Sequence, residues 1–507
     1  MSFGPAKAGN PGVAGYQGQG AFPEEYWDLF MQADSKMIQP RYELFYLAMV
    51  LVVASLYRLY PINRGLGQDE LYTAVHFVEV GSIWKTIFSN DAFNNHIGYS
   101  LMARVSEALF GRSEWALRLP ALLLGLASLY FFWIFSRSIL AYPAAMVATF
   151  MFALSPPHII WSIEARGYSA MIFFTILSTY LYFRLLRHPT RHHAFFFIVV
   201  SVCGVYVHLY SAFVTLVQIL LFLRISMTQH SAKKPDPQIT RMSARMLYVS
   251  FLAIITLSFI SYIPASWPML RDLVGRGRGD FDPLFPWKVI QELTGSDHMQ
   301  IVVLFIMVGV LGWFSLLKSR PLEARYFAWL FVGPLLVMWL ARPFDLYPRF
   351  FAYWLPYYFV FFMAGLRALW HSAPTANVRL ISYLSRTLAA VIITAVLHNW
   401  SVNWQNYIPD EGYREASRAI AMDADDSVAF CAIGGARSIW RYYINKPITT
   451  PSSLAELQKL SSSRPEVRCV YYEASWQSRE QTEIAQFLLQ HGSWQRVKDL
   501  TLFIYRG

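Results

Sequence analysis

Long apolar runs alternate with short polar connections over the first four fifths of the chain. Runs at 44–60, 116–135, 143–161, 168–183, 194–208 and 211–225 are each near the length a helix needs to cross a bilayer. A seventh ends near Pro264, and others follow at 300–317, 326–341, 350–369 and 386–400. The pattern predicts about eleven membrane-spanning helices. About fifty residues after the first run are too polar to span; within them, 71–81 and 97–110 have amphipathic spacing and are expected to lie along the interface. Beyond about residue 402 the pattern becomes that of a soluble domain. Val428–Ile433, Val467–Tyr472 and Leu500–Tyr505 read as buried strands, and 435–445, 454–461 and 479–490 as helices. The expected architecture is a polytopic α-helical membrane protein with a small C-terminal α/β domain. Residues 1–41 form a lead, 42–400 the transmembrane domain with a first loop at 61–115, and 401–507 the tail.

Composition agrees with this layout. Of the 507 residues 55% are hydrophobic and only 15% charged, against about 25% charged in soluble domains. The net charge of +11 raises the question of nucleic acid. The basic residues, however, gather in short links between apolar runs: Arg184–His193, Lys233, Lys234, Arg241 and Arg245, Lys318–Arg325, and Arg367–Arg386. That is the positive-inside pattern, and it argues against a nucleic-acid partner. With Lys36 and Arg41 before the first run, it places the N-terminus in the cytoplasm. Residues 1–22, rich in Gly, Pro and Ala, lack the apolar core of a signal peptide and read as a disordered cytoplasmic lead. Counting spans from there brings Asp69, Glu164, His208, the 265–298 loop, Arg349 and the tail to the outer face. Cys203 lies in an apolar run; Cys431 and Cys469 lie in the tail and either pair or pack as separate core thiols.

The candidate chemistry is acidic and basic side chains at that face. Asp69-Glu70 follows the first run, where carboxylates are costly and tend to be paired or functional. An ionised Asp there can act as a general base toward an acceptor hydroxyl or amine; the alternative is a solvated acidic loop or a helix cap. Glu164 and Arg166, with Tyr168, sit between two spans and either pair with each other or divide between a substrate hydroxyl and a phosphate. Arg349, beside Tyr347 at the start of a span, suits bidentate phosphate recognition or snorkels to lipid headgroups. His96 and His208 are candidate sugar, phosphate or metal contacts, although two distant histidines alone do not define a metal site. No nucleotide fingerprint, phosphate-cradling glycine loop or Cys/His metal cluster occurs, so no cofactor is expected beyond a possible divalent metal. An enzyme without nucleotide motifs, working outside the cell, needs an already activated donor; a lipid phosphate ester of a sugar meets that need.

Several motifs occur together in order. They are Gln68-Asp69-Glu70, Asn94-Asn95-His96-Ile97-Gly98-Tyr99, and Phe110-Gly111-Arg112-Ser113-Glu114-Trp115 running on to Pro120. Leu154-Ser155-Pro156 through Glu164-Ala165-Arg166-Gly167-Tyr168-Ser169 comes next, then Arg349-Phe350 and Leu355-Pro356. The set resembles the bacterial GT-C glycosyltransferases of the protein O-mannosyltransferase-like group, which includes lipid A aminoarabinose transferases. The resemblance is strong over about 40–225 and thinner afterwards. The chain departs from many relatives in carrying His96-Ile97 where they carry His-Pro. The resemblance implies a GT-C fold and an inverting transferase with a polyprenyl-phosphate sugar donor. In it Asp69 is the base and Glu164 to Tyr168 line the site. Read so, Glu70 orients the acceptor or tunes Asp69, and Arg349 with Arg166 steadies the departing lipid phosphate. The acceptor would be a glycolipid, a protein or a polysaccharide, and the site would face the periplasm at a bacterial inner membrane. The competing function is a transporter or lipid-sugar flippase. It is disfavoured because the ionisable residues gather at one face and no matched, Gly/Pro-broken helices stand at mid-membrane.

Overall fold

The computed structural model describes residues 40–89, 94–231, 241–275, 279–343, 345–370, 379–402, 408, 410–433, 437–444, 446–472 and 479–506. The proposed disordered lead, Lys233, Lys234 and parts of the 61–115 loop, the 265–298 loop and the basic link before Arg386 lie outside the described residues. The chain forms two compact units, 1–45 and 46–507; of the first, only the residues opening helix α1 (Pro40–Leu59) are described.

In the second unit a short helix, α2 (Gln68–Thr73), runs on into a π-helical turn, Ala74–Val78. Then come α3 (Ile83–Phe88), α4 (Ile97–Phe110), α5 (Glu114–Arg137), α6 (Tyr142–Leu154), α7 (Pro156–Ser162), α8 (Tyr168–Arg187) and α9 (Arg191–Val207). Next are α10 (Ser211–Ser231), α11 (Arg241–Tyr262), α12 (Ser266–Gly275), α13 (Phe285–Thr294), α14 (Met299–Ser319) and α15 (Pro321–Ala341). A 3-10 segment, Pro348–Trp354, leads into α16 (Leu355–Trp370), and α17 (Arg379–Val402) follows. A helix thus stands at each expected span. Among the described residues six of these helices are long and apolar enough to cross a membrane, or seven if the bent pair α6–α7 is one span. The expectation of about eleven is therefore not matched by length and composition alone. The α9 helix, for one, is apolar but short.

Local chemistry explains the breaks that matter for the site. Ser155 has extended backbone, and the paired prolines that follow open α7, so the chain bends by 58° there. Proline cannot continue α6 and excludes helical geometry from the residue before it. The bend is pinned inside the bundle. Arg58 donates to the Ala153 carbonyl at 3.1 Å and lies 2.6 Å from His158 Nδ1, while His158 Nε2 lies 2.8 Å from Ser128 Oγ. The α5 helix begins where Ser113 caps it by accepting the Ala116 N–H.

The tail holds α18 (Tyr413–Ala421), β1 (Val428–Ile433), β2 (Ile448–Thr449), α19 (Leu454–Ser463), β3 (Glu466–Tyr472), α20 (Arg479–His491), β4 (Ser493–Val497) and β5 (Leu500–Tyr505). The sheet order is β2-β1-β3-β5-β4, with β2, β1 and β3 parallel and the rest antiparallel. The segment expected as a helix at 435–445 is a 3-10 turn, Arg437–Tyr442. Cys431 and Cys469 stand opposite each other on β1 and β3 and are joined by a disulfide. Strand alternation gives the sheet two apolar faces. One, with Cys431, Ile433, Val467, Cys469 and Phe503, packs on Leu457, Ile484 and Leu488. The other, with Phe430, Ala432, Val470 and Leu502, shares a core with Leu66, Leu71, Ala74, Tyr99 and Leu117. The tail is therefore packed onto the segment that carries Asp69.

Helices α14 and α16 meet backbone to backbone. A Cβ on Gly312 would stand 1.8 Å from the Phe361 carbonyl oxygen, whereas one on Gly333 would meet nothing within 4 Å. Gly312→Ala is expected to cost roughly 1–3 kcal/mol through overpacking and to lower the unfolding temperature in detergent. Gly333→Ala should leave that temperature unchanged or raise it; equal behaviour of the two variants would mean the helices do not pack this closely.

Candidate active site

Asp69 and Glu70 occupy the first turn of α2, and the structure gives them opposite environments. Glu70 is 2% exposed. Its Oε1 accepts from Arg118 Nε at 2.7 Å and from the Ala165 amide at 2.7 Å; its Oε2 accepts from Arg118 Nη2 at 2.6 Å and from the Gly67 amide at 3.0 Å. Burial by itself would raise this carboxyl, but the Arg118 charge and hydrogen bonds outweigh it and hold Glu70 at about 2. Arg118 spends its remaining donors on the carbonyls of Ile62, Arg64 and Gly65, at 2.7 to 2.9 Å. Glu70 was expected to orient the acceptor or tune Asp69. Its oxygens are taken up in tying α2, α5 and the 163–167 loop together, which leaves none to orient an acceptor but keeps its charge next to Asp69.

Asp69 is about a third exposed and bonds Arg349 Nη2 at 2.6 Å across a sequence separation of 280. Arg349 enters from the Pro348–Trp354 segment with its guanidinium over the Tyr347 ring, 4.7 Å from the centroid. Burial works against its charge. The Tyr168 oxygen and the carboxylates of Asp69, Glu164 and Glu292 more than offset that, and its proton affinity rises above the ordinary arginine value. Glu164 lies in the loop between α7 and α8, near Arg349 and Asp69. Burial, with Glu70 and Asp69 adding to it, pushes its carboxyl up to about 7 despite Arg349. Glu292, on α13, is likewise raised, first by burial.

Arg166, expected beside the phosphate, is held by its terminal nitrogens, while its Nε is buried without a hydrogen-bond partner. It donates to Thr73 Oγ1 at 3.0 Å and to Asn94 Oδ1 at 2.5 Å, linking the Asp69 helix to the loop before α4. His96, at the head of α4, and His208, at the foot of α9, stack edge to face with centroids 4.5 Å apart, and Tyr168 lies 5.3 Å from each. His208 Nδ1 accepts the Tyr210 amide at 3.3 Å, so His208 is neutral with its proton on Nε2. Burial, with Arg166 and His208 nearby, holds His96 well below the usual imidazole value. Gly167 makes this cluster possible: a Cβ there would come within 2.6 Å of His96 Nδ1. Among the described residues, His96 Nδ1, His208 Nε2, Tyr168 OH, Tyr210 OH and Arg349 Nε are buried without a hydrogen-bond partner. Buried polar atoms in a native fold are normally paired. Those beside the carboxylate–guanidinium pair are positioned for a polar ligand to engage.

The structure thus brings together Asp69, Glu164, Tyr168, Tyr347 and Arg349, with Arg166, His96 and His208 adjoining, and sets Glu70 behind them as a support. No group of three or more His, Cys, Asp or Glu side chains among the described residues could hold a metal ion. Arg118, Glu292 and Glu411 were not read as site residues. Arg118 had a signal, a lone guanidinium just inside an apolar run; Glu292 and Glu411 had none.

The fold is that of the GT-C glycosyltransferases. The crystal structure of ArnT from Cupriavidus metallidurans in the apo state superposes with a TM-score of 0.59 at 11% identity, covering 91% of this chain and 97% of that one. The same protein bound to undecaprenyl phosphate gives 0.56 at 12% identity, covering 92% and 98%. The oligosaccharyltransferase of Archaeoglobus fulgidus in its apo form gives 0.52 at 12%, covering 85% of this chain and 70% of that one. Within the fold, residues 94–256 match the dolichyl-phosphate-mannose-protein mannosyltransferase family. The chain thus has the GT-C fold, and about a third of it matches the protein mannosyltransferase family model. No curated protein matches it significantly.

Arg118→Met would leave Glu70 buried and unpaired, at an expected cost of ~3–5 kcal/mol, and the Glu70→Gln/Arg118→Met double variant should recover part of it. The pair also sets an acid limit. A depressed carboxyl contributes fully above its ordinary 4.5, and that contribution is lost as pH falls toward about 2. Thermal unfolding in detergent from pH 7 to pH 3 measures both; an Arg118→Met protein as stable as wild type would show the pair carries no structure.

Proposed function

We propose that this protein transfers a sugar from a polyprenyl-phosphate-linked donor to an acceptor at the outer face of a bacterial inner membrane. The observation that carries the reading is the Asp69–Arg349 pair beside unpaired buried donors. A base for the acceptor and a cation for a leaving phosphate stand in one place. The fold neighbours support the donor class: ArnT has been seen with undecaprenyl phosphate, and the archaeal oligosaccharyltransferase AglB with dolichol phosphate and an inhibitory peptide. The acceptor is a glycolipid, a protein or a growing polysaccharide. The Cys431–Cys469 disulfide supports an oxidising, extracytoplasmic compartment for the tail and for the site it covers.

The chemistry is a single displacement. Asp69 takes the proton of the acceptor hydroxyl or amine as that atom attacks the anomeric carbon. The bond from this carbon to the phosphate oxygen breaks, and polyprenyl phosphate leaves with the electron pair. Attack opposite the phosphate inverts the anomeric centre. Arg349 already gives Nη2 to Asp69, and its unpaired Nε can meet the phosphate at the same time. A cation fixed where charge develops supplies the electrostatic part of catalysis. Tyr168 and the Nε2–H of His208 are further donors for the phosphate or a sugar hydroxyl. Glu164 accepts a sugar hydroxyl in its ionised form.

In a detergent assay that counts polyprenyl phosphate released from a panel of polyprenyl-phosphate sugars, Asp69→Asn should lose at least ~10²-fold in turnover while still binding donor. Wild-type turnover in this variant would remove Asp69 as the base, and no release from any donor by folded wild type would remove the transferase reading. Arg349→Ala should weaken donor binding more than acceptor binding. Because Glu164 titrates at about 7 and acts ionised, wild-type kcat/KM should rise with pH through that value. Glu164→Gln should be slower and lack this limb; a limb that persists unchanged in Glu164→Gln would assign it elsewhere.

A further inference from the structure

The tail touches the catalytic helix at its most sensitive point. Gly67 caps α2 with no side chain to offer, so the first-turn amides need outside acceptors. Glu70 Oε2 takes the Gly67 amide, and Glu411 Oε2, from the stretch leading into α18, takes the Gln68 amide at 3.1 Å. Glu411 fits closely: a Cβ on Gly67 would come within 3.1 Å of its Oε1. It is near enough to Asp69 and Glu70 for their charges to act on it. Neighbouring tail residues hold the same few residues of chain. Arg414 donates to the Asn63 carbonyl at 2.7 Å and to Glu114 at 3.3 Å. Tyr443 OH accepts the Leu66 amide at 2.9 Å and donates to Glu114 Oε1 at 3.2 Å.

We propose that Glu411 is a positioning residue for Asp69, and that through it the C-terminal domain completes the first turn of the catalytic helix as part of the active site. The reasoning is geometric. Asp69 is the second residue of α2, adjacent to the amide Glu411 binds. A side-chain acceptor at a helix N-terminus fixes the backbone of that turn, and the Glu411 carboxyl, which burial pushes up to about 7, offers the Gln68 amide an acceptor oxygen in either protonation state. Fixing that backbone fixes the direction from which the Asp69 carboxylate meets Arg349 and the acceptor. Small displacements of a catalytic base are costly in rate. The inference rests on the reading of Asp69 as the base.

The test compares full-length wild type, Glu411→Ala and Glu411→Gln by two measurements. The first is hydrogen–deuterium exchange of the peptide over 63–72, which needs no assumption about activity. The second is kcat and donor KM in the release assay. Glu411→Ala should exchange about tenfold faster at 66–71 with the tail strands unaffected, and its kcat should fall about tenfold at unchanged donor KM. Glu411→Gln keeps an oxygen for the Gln68 amide and should return both to within about threefold of wild type. Unchanged exchange in Glu411→Ala overturns the proposal. So does faster exchange throughout the tail that Glu411→Gln does not correct, since that is loss of docking. If wild type releases no polyprenyl phosphate while exchange at 66–71 responds as stated, the cap stands and the transferase reading fails.

Discussion

The Glu70–Arg118 ion pair is the constraint on which the rest of the site depends. Two charges removed from water lose their hydration, and that cost is offset only where every donor and acceptor is used. Here the Glu70 oxygens take four hydrogen bonds, and Arg118 adds three backbone carbonyls. That satisfaction joins the 62–67 segment, the head of α5 and the loop bearing Glu164 and Arg166. Asp69 is left as the neighbour whose carboxylate has no such obligation, and it turns toward Arg349. Adjacent acidic residues thus take different work because one is enclosed and the other is not.

Around this knot the site is assembled from pieces distant in the chain. The prolines after Ser155 bend the chain back so that Glu164 arrives beside α2. Gly167 admits His96, and α9 delivers His208 to the same place. The opposite face of the tail sheet is spent on its own helices, while its near face shares a core with the Asp69 segment. Helix packing through Gly312, where backbones touch, leaves α14 and α16 little freedom to slide.

Much of the fold was legible because apolar run length and strand alternation are local signals. The positions of the long helices and of β1, β3 and β5 follow from them. The residue types of the site were legible for a different reason: Asp69, Glu164 and Arg349 are charges where a membrane protein should carry few. What each charge does was not legible. Which of Glu70 and Asp69 is enclosed is decided by Arg118, whose pairing is tertiary, and nothing local shows that Arg166 gives its terminal nitrogens to Asn94 and Thr73 while Arg349 meets Asp69. The segment at 435–445 reads as helical and tightens to 3-10. The β4 strand has mostly exposed side chains and so no alternation to detect.

The contact between Gln68 and Glu411 spans 343 residues, and that between Leu66 and Tyr443 spans 377. At roughly 5–20 residues per second, a ribosome needs on the order of tens of seconds to deliver the second partner after the first. During that interval the nascent chain has its membrane helices and its acidic corner but an unfinished first turn at Gln68. The order of synthesis therefore acts as a safeguard in time: the corner matures only when the C-terminal domain has been made and has folded against it, and a chain that stops before Glu411 cannot complete that first turn.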